Sequence, residues 1–140
     1  MIRVVLDTSV LYSAILKPKS IPASVFDLVS RGELIPCVSP AILCEYRDVL
    51  LERPALRPLA QRAQRVFGAL TELAVVVTPS QQLKISDHES DNRFYECADA
   101  ASADYLITGN LKHFRHSHKN TRIVSPRQFL ELLAGPRQEE

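Results

Sequence analysis

Residues 2–16 read IRVVLDTSVLYSAIL, and this stretch decides the fold. Ile2 to Leu6 is an apolar, β-branched run broken only by Arg3, the pattern of a strand buried on both faces of a parallel sheet. Asp7-Thr8-Ser9 then offers N-capping side chains to a helix over about 9–15. A buried strand feeding directly into a helix opens a crossover, and the rest of the chain repeats the arrangement.

Lys17-Pro18-Lys19-Ser20 is a turn, and Ile21 to Arg31 has helical spacing (Val25, Leu28, Val29) that stops at Gly32. Leu34 to Val38 reads as a second strand, after which Ser39-Pro40 opens a helix through about Glu52. Leu59, Ala63, Val66, Phe67 and Leu70 predict a fourth helix over 57–73. Ala74 to Val77 is a third strand, and Pro79 to Glu89 is polar loop. Ser90 is placed to cap a helix from about Asp91 to Ser102. Tyr105–Thr108 and Arg122–Val124 read as strands four and five, separated by a turn over 109–119, and Pro126 opens a last helix through Leu133. One domain over 1–134 is expected, with a frayed tail over 135–140. Strands alternating with helices imply an α/β fold with a parallel sheet covered on both faces.

Composition limits the function classes. Of 140 residues, 46% are hydrophobic and 24% charged, enough for a core without disulfides. The formal net charge of +1 requires any nucleic-acid binding to come from local patches. Cys37, Cys44 and Cys97 are an odd number without C-x-x-C spacing, so they are expected to be reduced, buried small hydrophobes in a reducing compartment. Asp7 interrupts the apolar N-terminus and no cleavage signal follows, so no signal peptide is expected. No apolar run approaches the roughly 20 residues that span a bilayer. A cytoplasmic protein without membrane contact is the expectation.

In parallel sheets, sites form outside the carboxyl ends of the strands. Asp7 ends strand one, Glu45 lies near the second turn of the helix after strand two, and Asp91 opens the helix after strand three. Asn110 follows strand four. These four oxygen-bearing side chains belong at one edge, whereas Asp104 begins strand four and belongs at the other. Clustered carboxylates repel one another unless a cation sits among them, and hard ions such as Mg²⁺ and Mn²⁺ take oxygen ligands. A metal held by acids suits phosphodiester hydrolysis. Taken singly, Asp7 is an ordinary N-cap, Asp91 an ordinary first-turn acid and Glu45 an ordinary helix residue. The functional reading rests on the three together.

The stretches VVLDTSVL (4–11), ILCEYRDVL (42–50) and SDNRFYECADAASADYLITGNLKHF (90–114) resemble the successive motifs of the PIN-domain family, within it the VapC-type ribonucleases that are toxins of toxin–antitoxin pairs. The resemblance runs from Ile2 to about Leu133, and the third motif is the most specific. It implies a three-layer α/β/α domain with a five-stranded parallel sheet, Mg²⁺- or Mn²⁺-dependent endoribonuclease activity, a cognate antitoxin and a homodimer. Carried over by position, the catalytic and metal-binding acids fall on Asp7, Glu45 and Asp91, with Thr8 or Ser9 hydrogen-bonding the first acid or a water beside it. Where many relatives carry a fourth acid after T-G, this chain has Asn110, which contributes no charge. Asp87, Glu89, Glu96 and Asp99 lie near the third motif, and Glu96 is the favoured substitute because it shares a helix with Asp91.

Two basic stretches stand out. Lys112, Arg115, Lys119 and Arg122, with His113, His116 and His118, follow the Asn110 loop, and Lys112 and Arg115 are the candidates to hold RNA phosphates. The histidine spacing fits no zinc motif. Arg53, Arg57, Arg62 and Arg65 form the second stretch. Tyr12 and Tyr46 could stack a base. Leu50, Leu51, Leu56 and Leu59 could line a groove for an antitoxin helix. Two other readings compete. A dinucleotide or phosphate-handling enzyme lacks its glycine motif here, and an aspartyl-phosphate phosphatase lacks an acid at Ser9. A PIN-like domain that binds RNA or a partner without cutting draws support from Asn110.

Overall fold

The computed structural model describes residues 1–135. Five strands, β1 (Arg3–Leu6), β2 (Ile35–Val38), β3 (Val75–Val76), β4 (Tyr105–Ile107) and β5 (Arg122–Val124), form one parallel sheet in the order β3-β2-β1-β4-β5. The helices are α1 (Thr8–Leu16), α2 (Ile21–Ser30), α3 (Pro40–Arg47), α4 (Ala60–Leu73), α5 (Asn92–Ala101) and α6 (Pro126–Ala134). The first two crossovers step outward from β1 to β2 to β3, and the third returns to β4 on the far side of β1. With right-handed crossovers, that reversal puts α5 on the face opposite α1 and α2. The result is the expected three-layer α/β/α domain. Val4, Val5 and Leu6 of β1 and Leu106 and Ile107 of β4 are buried at its centre. Tyr46, Phe94, Tyr95 and Phe129 are the bulkiest of its fully buried side chains.

Local signals explain most element ends. Ser20 and Ser39 accept hydrogen bonds from Ala23 N–H and Ile42 N–H, each followed by a proline in the first turn. Ser125 and Gln128 form a reciprocal capping box at α6. Gly32 takes φ +76°, and the bonds Gly32 N–H to Val29 O and Glu33 N–H to Leu28 O close α2 in a Schellman motif.

Three boundaries differ from the sequence expectation. The helix expected over 57–73 begins at Ala60, because Pro54 and Pro58 impose a 3₁₀ segment over Pro54–Leu59. The third helix reaches Glu52, but its last stretch, Asp48–Glu52, is a π-turn. Ser90 does not cap α5. A 3₁₀ turn over Glu89–Asp91 leads in, so the residue at the cap, Asp91, already has helical φ −72° and ψ −21° and makes no side-chain cap bond.

Cys37 and Cys97 are buried as expected, whereas Cys44 is exposed on α3. Among the described residues, no helix is long and apolar enough to cross a membrane. Of the tail expected over 135–140, residues 136–140 lie outside the described residues.

Candidate active site

The strand order fixes where a site can form. β1 and β4 are neighbours whose chains leave in opposite directions, so the crevice beyond their carboxyl ends is the switch point of the sheet. Asp7 ends β1 there, and its N–H donates to Ile107 O at 2.9 Å. Asp7 is the cap residue of α1, yet its carboxylate does not cap the helix. Its Oδ2 instead accepts from Ser9 Oγ and from Thr108 Oγ1, both at 2.7 Å. Thr108 is fully buried just past β4 and in turn accepts from Asn110 N–H at 2.9 Å. Ser9 Oγ accepts from Gly109 N–H at 3.1 Å. A Cβ at Gly109 would stand 3.2 Å from that hydroxyl, so the close passage of the strand-four loop over Ser9 favours glycine.

Glu45 reaches the same crevice from the second turn of α3, where its Oε2 accepts from Thr8 Oγ1. The two residues after Asp7 therefore divide their work, Ser9 holding the first acid and Thr8 the second. Asp91 completes the set from the 3₁₀ turn before α5 and is only 9% exposed. Burial pushes the Glu45 carboxyl above its ordinary pKa, outweighing the Thr8 hydrogen bond, and the charges of Asp7 and Asp91 push the same way. Burial likewise raises Asp91, with Asp7 adding to the shift and His113 and His88 opposing it.

Asp7, Thr8, Ser9, Glu45, Asp91 and Asn110 all line one open cleft of about 800 Å³. Among the described residues, the Asn110 side chain makes no hydrogen bond within the chain. Glu96 does not join the acids. It is 7% exposed, but its Oε2 is taken by Arg93 Nη2 at 2.7 Å and Leu83 N–H at 2.9 Å, so it fastens the polar loop to α5. Nor do the other acids near the third motif line the cleft: Asp87 lines the adjoining cavity, Glu89 pairs with Arg93 and Asn92, and Asp99 with His118 and Lys119.

The basic residues separate in the same way. Lys112 and Arg115 line a cavity of about 150 Å³ with Asp87, His88 and His116, joined to the acid cleft through His113. Arg122 begins β5 and lies with Met1 and Asp104 at the opposite sheet edge, since a parallel strand carries its first residue away from the site. Arg53 lines the acid cleft, while Arg62 Nη1 donates to Ile15 O near the end of α1. Tyr12 borders the cleft, but Tyr46 is buried with its hydroxyl donating to Leu6 O. Leu50 and Leu56 are core residues, so the groove expected at Leu50, Leu51, Leu56 and Leu59 shrinks to a crevice of about 40 Å³.

Two residues, one in the cleft and one in the cavity beside it, escaped the sequence reading. Asp48 lines the cleft one helical turn beyond Glu45, an i,i+3 relation the sequence did contain. His88 comes against Asp91 and His113 only through the fold of the polar loop, with no motif to announce it.

The model of the PIN domain family matches residues 3–112. The chain belongs to the PIN domain family. A relative from Methanocaldococcus jannaschii, Uncharacterized protein MJ1680, is 28% identical over 142 residues, covering 93% of this chain and 90% of the relative. Two crystal structures share the fold. VapBC2 from Rickettsia felis bound to a DNA fragment from their promoter gives a TM-score of 0.59 at 16% identity, over 89% of this chain and 98% of that one. DNA-bound VapBC from Salmonella typhimurium gives 0.60 at 17% identity, over 90% and 99%. At such identities the likeness is of fold alone.

Proposed function

We propose that this PIN domain is an Mg²⁺- or Mn²⁺-dependent endoribonuclease, the toxin of a toxin–antitoxin pair. The observation that carries the reading is the meeting of Asp7, Glu45 and Asp91, from three separate elements, in the cleft at the switch point. The donor set fits a hard divalent ion. It offers carboxylate oxygens, and burial together with mutual repulsion raises two of the three carboxyls, a cost that a cation would offset. Such an ion, when bound, supplies the positive charge that makes water a nucleophile near neutral pH and offsets charge developing on a phosphoryl oxygen.

The protein's own groups do the positioning. Ser9 and Thr108 fix the Asp7 carboxylate, and Thr8 fixes that of Glu45, so neither acid has to reorganise on binding. Lys112 and Arg115, in the adjoining cavity, are placed to hold phosphates on one side of the scissile bond, and Arg53 at the cleft wall on another. The openness of the cleft suits a single strand.

Both similar crystal structures are VapBC complexes bound to DNA, which supports an antitoxin as this chain's partner. A homodimer in the cytoplasm belongs to the same reading. The test is an RNA cleavage assay with Mg²⁺ or Mn²⁺. Cleavage lost on adding EDTA and in Asp7→Asn is the expected result. RNA that is bound but left intact under all conditions would make this a binding domain, the alternative that Asn110 favours.

A further inference from the structure

We infer that His88, Asp91 and His113 form a second metal position beside the acid cleft, selective for a borderline transition ion such as Zn²⁺ or Co²⁺ over Mg²⁺. One ligand atom from each residue lies within 4.8 Å of the other two. His113 Nδ1 is 3.2 Å from Asp91 Oδ2, and the His88 and His113 rings stack with centroids 4.1 Å apart. Asp91 Oδ2 is a fully buried oxygen without a hydrogen-bond partner. A buried carboxylate oxygen left unpaired is costly, and a cation is one of the few groups that would satisfy it.

The two loops that carry the imidazoles are fastened to each other. Ser86 Oγ donates to His113 O at 3.0 Å, and Asn92 Oδ1 accepts from Ile85 N–H and Ser86 N–H at 3.0 and 2.7 Å. The backbone positions of the ligands are thus set before any ion arrives. Ligand distances of about 2.0–2.2 Å to zinc require donor atoms roughly 3.3 Å apart. His88 is exposed, so its side chain is free of the packing that would hold it in one rotamer.

Donor chemistry separates this position from the acid cluster. Two imidazole nitrogens and one carboxylate oxygen suit zinc, cobalt, nickel or copper, whereas Mg²⁺ prefers oxygen alone. Asp91 belongs to both sets, so the two positions share one carboxylate. The inference concerns binding and stands whether or not the domain cuts RNA.

The test is Co²⁺ titration of the tag-free protein, followed by visible absorption and calorimetry. Wild type should show the d–d bands of imidazole-ligated Co²⁺, displaced by Zn²⁺ and unaffected by excess Mg²⁺. His88→Ala and His113→Ala should each weaken Co²⁺ binding by more than about tenfold, the scale of losing even a supporting residue at a metal site. Glu45→Gln, which alters the acid cluster alone, should leave the bands in place. Bands that survive both histidine substitutions, bands lost in Glu45→Gln, or no Co²⁺ binding by wild type would each overturn the proposal. RNA cleavage plays no part in the readout, so failure here is distinct from failure of the nuclease reading.

Discussion

Replacing Thr108 by valine keeps the shape of a fully buried side chain and deletes one hydroxyl that makes two hydrogen bonds. The first is donated to the Asp7 carboxylate, and hydrogen bonds to charged groups contribute about 1.5–3 kcal/mol. The second is accepted from Asn110 N–H, a partly buried group that water can reach, so its loss falls at the low end of the roughly 1–3 kcal/mol cost of an orphaned donor. Together these predict a destabilisation of about 2–4 kcal/mol, a large share of the roughly 5–15 kcal/mol that holds a domain folded. Urea unfolding in EDTA, with a slope of about 1–3 kcal/mol per molar, should show the midpoint fall by roughly 1–2 M with no change in slope. Thr108→Ser is the control. It keeps the hydroxyl and loses a methyl, worth about 0.8 kcal/mol. If valine proves no more damaging than serine, the hydroxyl does not hold Asp7 and the account of the site's rigidity is wrong. Ser9→Ala removes the other donor to the same oxygen, so the double variant should depart from additivity by more than about 0.5 kcal/mol.

Glu45→Gln should raise the melting temperature at pH 7 in EDTA. The folded-state pKa of Glu45 lies above its ordinary value, so this group favours folding at low pH and loses that contribution as pH rises through the shifted value. The advantage of glutamine should vanish toward pH 4, and saturating Mg²⁺ should reverse the order by stabilising wild type more; scanning calorimetry across pH with and without Mg²⁺ reads all three. Asp91→Asn should abolish RNA cleavage while circular dichroism stays native, and cleavage at the original rate would remove Asp91 from the reacting set. Lys112→Ala and Arg115→Ala should each reduce the slope of log affinity for single-stranded RNA against log salt by about 0.7, and an unchanged slope means no phosphate contact. Asn110→Asp should tighten Mg²⁺ binding, by roughly tenfold if the new charge is worth about 1.4 kcal/mol after desolvation; isothermal titration checks it, and unchanged affinity would place Asn110 outside the ion's reach.

The sheet was legible because buried parallel strands need apolar, β-branched runs, and Val4–Leu6, Cys37–Val38 and Leu106–Ile107 have no other use for them. The edge assignment of Asp7, Glu45 and Asp91 followed from one rule, that parallel strands deliver their carboxyl ends to a common side. What the sequence hid depends on loops. Glu96 shares a helix with Asp91, but whether its carboxylate faces the cleft or the polar loop is decided by where Arg93 and Leu83 come to rest. Arg122 looked like part of a basic run, yet the start of β5 carries it to the far edge. Proline chemistry at Pro54 and Pro58 outweighs the helical periodicity over 57–73 at its first turn.

The substitution at Asn110 changes where the charge sits more than how much of it there is. Asp48 lines the cleft one turn beyond Glu45, so a fourth carboxylate is present on the α3 wall although the β4 loop supplies only an amide. An ion attracted by charge would then settle toward Asp7, Glu45 and Asp48 as much as toward Asp91. Asp91 also meets imidazole, with His113 Nδ1 at 3.2 Å from its Oδ2. Asp91 is thus the hinge between an oxygen-rich wall and a nitrogen-rich one. On the proposed reading, carboxylates line the acid cleft for a hard ion, and the two imidazoles beside Asp91 suit a softer one.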